Sequence, residues 1–213
     1  MATSLKICSN TEPQYVSATG GEVSTPAGLS GSEYRVINNF LSPKYHEHLL
    51  ADIGSDNFPW FMKTDITKSD GDSNVLKYGF QHTVINPDGS DNSSISDLIR
   101  PFVYDLLNVA GKNTLLRFRI DMQTARGVPL THTPHVDMPE LLEHTTCVYY
   151  LNDSDGDTIL YENSYSQRDQ ELKELVRITP KANSLVMFKG KLMHTGEAPI
   201  GSARRIIFNI NII

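Results

Sequence analysis

Along this chain the spacing of apolar residues changes character once, near residue 112. Ahead of that point two stretches carry a helical period. Leu41, Tyr45, Leu49 and Ile53 recur every four residues, and Ile95, Leu98, Ile99, Phe102, Leu106 and Ala110 form a second stripe. The segment "YRVINNFLSPKYHEHLLADIGS" therefore reads as a strand, a turn and a helix, with Ser42 as N-cap, Pro43 in the first helical position and Gly54 ending it. The second helix is predicted from Ser94 to Gly111, and Pro101 predicts a kink or a late start. Beyond it, "LLRFRIDMQ", "TTCVYYLN", "TILYEN", "LVRITP", "SLVMF" and "RRIIFNINII" are short runs rich in β-branched and aromatic residues, parted by Gly, Pro, Asn or Asp. Helices first and strands later predict a mostly β fold with flanking helices, a sandwich or barrel covered on one side.

Two segments lack this periodicity. Residues 1–31 are rich in Ser, Thr, Gly and Pro and predict a flexible N-terminal arm, so that one domain spans 32–213. The polar stretch "DITKSDGDSNVLKYGFQ", within residues 63–81, is a candidate lid.

Composition narrows the partners. A net charge of −6 gives no electrostatic footprint for nucleic acid or an anionic membrane surface, and no run reaches the ~18 apolar residues of a membrane span. The start "MATSLKICSN" has no signal-peptide core. Two cysteines, Cys8 and Cys147, do not make a disulfide framework, and Cys147 lies in an apolar run that predicts a buried thiol. The expectation is a soluble, cytoplasmic protein with no nucleic-acid or membrane partner.

Candidate chemistry gathers in the strand-rich half. In "THTPHVDMPE", His135 and Asp137 stand two apart, and on an extended segment both side chains face one side, within reach of one ion. His194, in "FKGKLMHTGEAP", supplies a third ligand. Two imidazoles and a carboxylate form the facial set that suits non-haem Fe(II) and leaves coordination positions open. Arg204 lies ten residues further on and by strand parity shares a face with Ile206, Phe208 and Ile210. An inward arginine requires an anion, which makes Arg204 the candidate carboxylate binder and leaves Arg205 facing solvent. His132 would face away from His135 on a strand, and His46, His48, His82 and His144 read as surface or satisfied core groups, with Trp60 and Tyr78 as core aromatics.

These residues, together with "HVDMP", "TCVYYLND", "GDTILYE" and "PKANSLVMF", resemble the Fe(II)- and 2-oxoglutarate-dependent dioxygenases of the prolyl-4-hydroxylase-like branch, over roughly residues 33–213. The resemblance implies a double-stranded β-helix, a jelly-roll or cupin-like core. It implies iron ligation by His135, Asp137 and His194, and 2-oxoglutarate held by Arg204 and Tyr150. The cofactor set would be Fe(II), 2-oxoglutarate and O2, with ascorbate as a further candidate. The implied reaction is hydroxylation of an unactivated C–H bond, in a prolyl or other peptidyl or amino-acid residue or in a small molecule, with release of succinate and CO2. With Asp137 present, the open carboxylate position of a halogenase is not implied. The chain departs from the pattern at Gly156-Asp157, where Gly-Gly is common, and before the HxD segment, where Gln123 or Met122 stands in place of a tyrosine. The rival readings are a non-catalytic cupin-like metal- or ligand-binding barrel and an interaction scaffold.

Overall fold

The computed structural model describes residues 33–64, 66, 77–139 and 141–213. The N-terminal arm and most of the candidate lid lie outside the described residues. The elements in chain order are β1 (Tyr34–Asn38), α1 (Pro43–Ile53), β2 (Phe61–Lys63), β3 (Gly79–Ile85), α2 (Ser96–Ala110), β4 (Leu115–Thr124), β5 (Thr145–Tyr150), β6 (Thr158–Ser164), β7 (Glu174–Ile178), β8 (Ser184–Lys189), β9 (Leu192–Gly196) and β10 (Arg204–Ile212). Seven strands form one antiparallel sheet in the order β1-β8-β5-β10-β4-β3-β2, and three form a second in the order β7-β6-β9. Two stacked antiparallel sheets with these crossovers make the jelly-roll core. β10 is central, flanked by β5 and β4, which places the apolar C-terminal run inside the sheet rather than on an edge.

The central strands of the large sheet, β5, β8 and β10, are buried on both faces, and this decides the site. One face packs on the helices. Phe118 and Ile120 of β4, Cys147 and Tyr149 of β5, and Ile206, Phe208 and Ile210 of β10 meet Leu49 and Ile53 of α1 and Ile99, Phe102 and Leu106 of α2. Phe102 sits edge-on to Phe118, Phe208 and Tyr149 with centroids 5.1–5.8 Å apart, the favoured aromatic arrangement. The opposite face looks toward the small sheet. There Val148, Tyr150, Val186 and Phe188 pack on Leu160 and Leu192, and toward β4 this apolar layer gives way to Arg, Asp, Gln and Asn side chains.

The helices start and end as their chemistry requires, with one irregularity. Pro43 opens α1, although Ser42 makes no side-chain cap bond. Gly111 closes α2 in the left-handed conformation that glycine tolerates best, at φ 61°. Pro101 sits inside α2. Next to it the Tyr45 hydroxyl donates to the Leu98 carbonyl (2.6 Å) and accepts from the Phe102 amide (3.2 Å). Those two backbone groups would bond each other in an unbroken helix, so a phenol from α1 is inserted where the proline opens the ladder.

β2 and β3 flank and partly overlap the candidate lid, where the sequence pattern assigns no strand; they form because β3 pairs along β4 and β2 along β3. Among the described residues no helix is long and apolar enough to cross a membrane.

Candidate active site

The segment before β5 runs antiparallel to β9. His135 and His194 exchange backbone hydrogen bonds in both directions, each 2.9 Å, which sets their rings side by side with centroids 4.7 Å apart. Asp137 follows two residues later on the same side. The three residues offer ligand atoms that all lie within 4.8 Å of one another.

Their hydrogen bonds present them as ligands. His135 Nδ1 contacts the Thr133 carbonyl at 3.0 Å and His194 Nδ1 the Leu192 carbonyl at 3.1 Å. A carbonyl only accepts, so both protons sit on Nδ1 and both Nε2 lone pairs are free, the tautomer a metal needs. His194 Nε2 is buried with no hydrogen-bond partner. Burial, then the neighbouring His135, pull the His194 pKa down to about 4, so the ring is neutral at pH 7. The Asp137 side chain is only 2 % exposed. Burial would raise its pKa, but His194, Arg117 and Arg119 outweigh that and hold it well below the usual carboxylate range. Arg117 Nη2 approaches Asp137 Oδ1 at 3.0 Å and Asn211 Nδ2 donates to Oδ2 at 3.2 Å, while Oδ2 faces His194 Nε2 at 3.8 Å. Two imidazoles and one ionised carboxylate, fixed by backbone and arginine contacts, fit a divalent iron.

Beside the triad a cavity of about 80 Å³ opens between the sheets. Its polar wall is the inner face of β4 and β10, carrying Arg119, Asp121, Gln123, Arg205 and Asn209. Arg205, not Arg204, is the arginine that reaches it. Arg205 is 3 % exposed and donates to Thr158 Oγ1 at 2.7 Å; Tyr150, fully buried, donates to the same hydroxyl at 2.8 Å. Arg204 turns to the other side of β10 and donates to the Gly54 carbonyl at the C-terminal end of α1, at 3.0 Å. The sequence reading put Arg204 inward because it shares a face with Ile206, Phe208 and Ile210. That face is indeed buried, but against the helices, and the alternate, more polar face lines the cavity.

Other expectations resolve as follows. Gln123 is the β4 partner of Arg205 in register, lines the cavity and leaves Oε1 without a partner, while Met122 borders the cavity and also packs against the helix-side core. At Gly156 a Cβ would stand 2.4 Å from the Glu197 carbonyl, so the backbones touch there; Asp157 next to it faces Arg177 at 3.7 Å. His82 is a satisfied core group, bonded to the Pro59 carbonyl and the Ser93 hydroxyl. His46 is not merely solvated, since its ring bonds the Tyr149 hydroxyl at 2.6 Å. His132, expected to point away, borders the cavity. Thr158 was not singled out from sequence; a lone threonine opening an apolar strand carries no signal of its own.

The description "2OG-Fe(II) oxygenase superfamily" matches residues 122–213, the segment that holds the triad, Tyr150, Thr158 and Arg205. Oxygenases of this superfamily use Fe(II), 2-oxoglutarate and O2. The chain is similar in fold to a 2OG-Fe(II) oxygenase family oxidoreductase from Burkholderia pseudomallei (10 % identity, 84 % of this chain and 85 % of that one, TM-score 0.61). It is likewise similar to a prolyl hydroxylase from Trichoplax adhaerens in complex with a hypoxia inducible factor peptide fragment (16 %, 86 % and 84 %, 0.57). A third similar structure is HygX from Streptomyces hygroscopicus with nickel and 2-oxoglutarate bound (11 %, 85 % and 82 %, 0.56). Structures of an epimerase and a carbocyclase from nogalamycin biosynthesis share the fold as well. The sequence matches no curated protein.

Proposed function

We propose that the chain is a 2OG-Fe(II) oxygenase that acts as a hydroxylase: it couples decarboxylation of 2-oxoglutarate to insertion of one oxygen atom into an unactivated C–H bond, giving R–OH, succinate and CO2 from R–H, 2-oxoglutarate and O2. The substrate in this reading is a prolyl or other peptidyl or amino-acid residue. The observation that carries it is Arg205. A guanidinium buried beside three metal-ligand side chains, with no carboxylate within ion-pair distance among the described residues, is costly unless an anion completes it. Neither a structural metal site nor an interaction scaffold needs such a group.

His135, Asp137 and His194 would hold the iron, which supplies dioxygen activation when bound. Arg205 pairs with the distal carboxylate of 2-oxoglutarate. Thr158 accepts from both Arg205 and Tyr150, so its own hydroxyl proton remains to be donated into the cavity it lines. Tyr150 acts through that hydroxyl and fixes its direction. Arg117 and Asn211 keep Asp137 oriented and ionised. Further along the same polar wall stand Arg119, Asp121 and Gln81, with Gln81 bonded to Asp121 at 3.0 Å; this part suits a substrate with backbone amides better than a purely apolar one.

The test is anaerobic titration of Fe(II)-loaded protein with 2-oxoglutarate, followed by visible absorption, then aerobic incubation with proline-containing peptides and mass analysis. A charge-transfer band and a gain of one oxygen in a peptide support the reading. Metal binding with no band refutes it, and a band with product of unchanged oxygen content refutes the hydroxylase assignment.

A further inference from the structure

His132 is a buried polar group without a use in the site described so far. It is 2 % exposed, and neither ring nitrogen has a hydrogen-bond partner. A buried polar group left without a partner destabilises the fold, so a ligand that satisfies it is favoured. Its backbone is fixed on both sides: the His132 amide donates to the Gly196 carbonyl at 3.1 Å, and its carbonyl accepts from Thr195 Oγ1 at 2.7 Å. Gly196 in turn lies against Arg205, so close that a Cβ there would meet Nη1 at 3.3 Å. The imidazole is thereby anchored on the strand segment that touches the Arg205 guanidinium, and it borders the same cavity. Burial, then the charges of Arg205 and Arg126, pull its pKa down to about 4 and keep it neutral. A neutral imidazole carries one N–H, and the guanidiniums beside it accept nothing.

We propose that His132 is a further co-substrate-binding residue, whose ring N–H donates to the same distal carboxylate that Arg205 pairs with, so that guanidinium and imidazole grip the anion from two sides. This rests on the 2-oxoglutarate reading above.

The experiment uses the full chain loaded with Zn(II), which binds ligand without turnover, and calorimetric titration with 2-oxoglutarate for wild type, His132→Phe, His132→Asn and Arg205→Met. His132→Phe keeps a ring but no hydrogen bond, and should weaken 2-oxoglutarate by about tenfold or more at unchanged zinc stoichiometry. His132→Asn, which retains an N–H donor, should recover part of the loss. With 2-oxobutyrate, which lacks the distal carboxylate, wild type and His132→Phe should bind alike. In wild type the ring nitrogen resonances of His132 should move when 2-oxoglutarate is added, a readout that holds even should His132→Phe fail to fold. Affinity for 2-oxoglutarate within twofold of wild type in His132→Phe, alongside a large loss in Arg205→Met, overturns the assignment of His132 alone. So does a penalty that is equal for 2-oxobutyrate. Failure of wild type itself to bind 2-oxoglutarate overturns the underlying reading instead.

Discussion

Adjacent arginines at the start of β10 provide a test in which the two variants should behave oppositely. Arg205→Met removes a buried guanidinium that donates to Thr158 at 2.7 Å and, among the described residues, has no carboxylate within ion-pair distance. In the free protein this deletes an unpaired buried charge, so stability should be unchanged or higher. With ligand, truncating one partner of a buried charge pair costs about 2–5 kcal/mol, which is roughly 30-fold to a few thousand-fold in 2-oxoglutarate affinity. Arg204→Met removes a half-buried side chain that caps the C-terminal end of α1 through the Gly54 carbonyl at 3.0 Å. That should lower stability by about 0.5–1.5 kcal/mol and leave 2-oxoglutarate affinity intact. Calorimetric titration of the Zn(II) protein gives the affinities, and denaturant midpoints give the stabilities. Loss of 2-oxoglutarate binding in Arg204→Met, with binding preserved in Arg205→Met, would refute the assignment of the inner face of β10 to the site.

Three other outcomes are expected. Asp137→Ala should abolish turnover and also destabilise the metal-free protein, because Arg117 and Arg119 lose the carboxylate they approach at 3.0 and 3.7 Å; metal content and melting temperature check both parts. Tyr45→Phe should cost about 1–3 kcal/mol by denaturant unfolding, since the Leu98 carbonyl and Phe102 amide lose the hydroxyl that bridges them next to Pro101. The metal-free protein should lose stability on acidification. His132 and His194 titrate near pH 4 when folded and near 6.5 when unfolded, so the unfolded chain binds more protons between those values and stability falls as pH drops from about 6.5 to 4, by roughly 3 kcal/mol for each group. Comparison of denaturant midpoints at pH 7.5 and 4.5 in wild type and His132→Phe should show a smaller drop in the variant; an equal drop would contradict the neutral, buried state of that ring.

How much was legible in the sequence follows from which constraints are local. The α1 stripe ending at Ile53 and the β-branched runs of β4, β5 and β10 are local patterns, and they form where the period says. The convergence of His135, Asp137 and His194 was readable because an i, i+2 pair on extended chain shares a face whatever its partners are. Arg205 was misplaced because parity says which residues share a face but not what that face meets. In a sheet buried on both sides, the more apolar face of β10 turned out to meet helices. β2 and β3 escaped notice because "GFQHTVI" owes its strand conformation to pairing with β4, a contact 33 or more residues distant in sequence. Thr158 and His132 gain their meaning only from Arg205 and Gly196, which the chain brings beside them from other strands.

The alternation along β4 and β10 ties catalytic competence to correct threading. Every second residue belongs to the helix-side core and every other one to the cavity, so a shift of β10 by a single position would carry Arg204 into the cavity and Arg205 out of it. The same slip would turn Phe208 and Ile210 toward the polar wall and bring Asn209 and Asn211 against Phe102 and Phe118. A chain in the wrong register would still present an arginine to the cavity, Arg204 in place of Arg205, but it would lose the hydrophobic core that holds the sheet against the helices. The apolar residues of β10, rather than its two adjacent arginines, therefore set the register of the central strand.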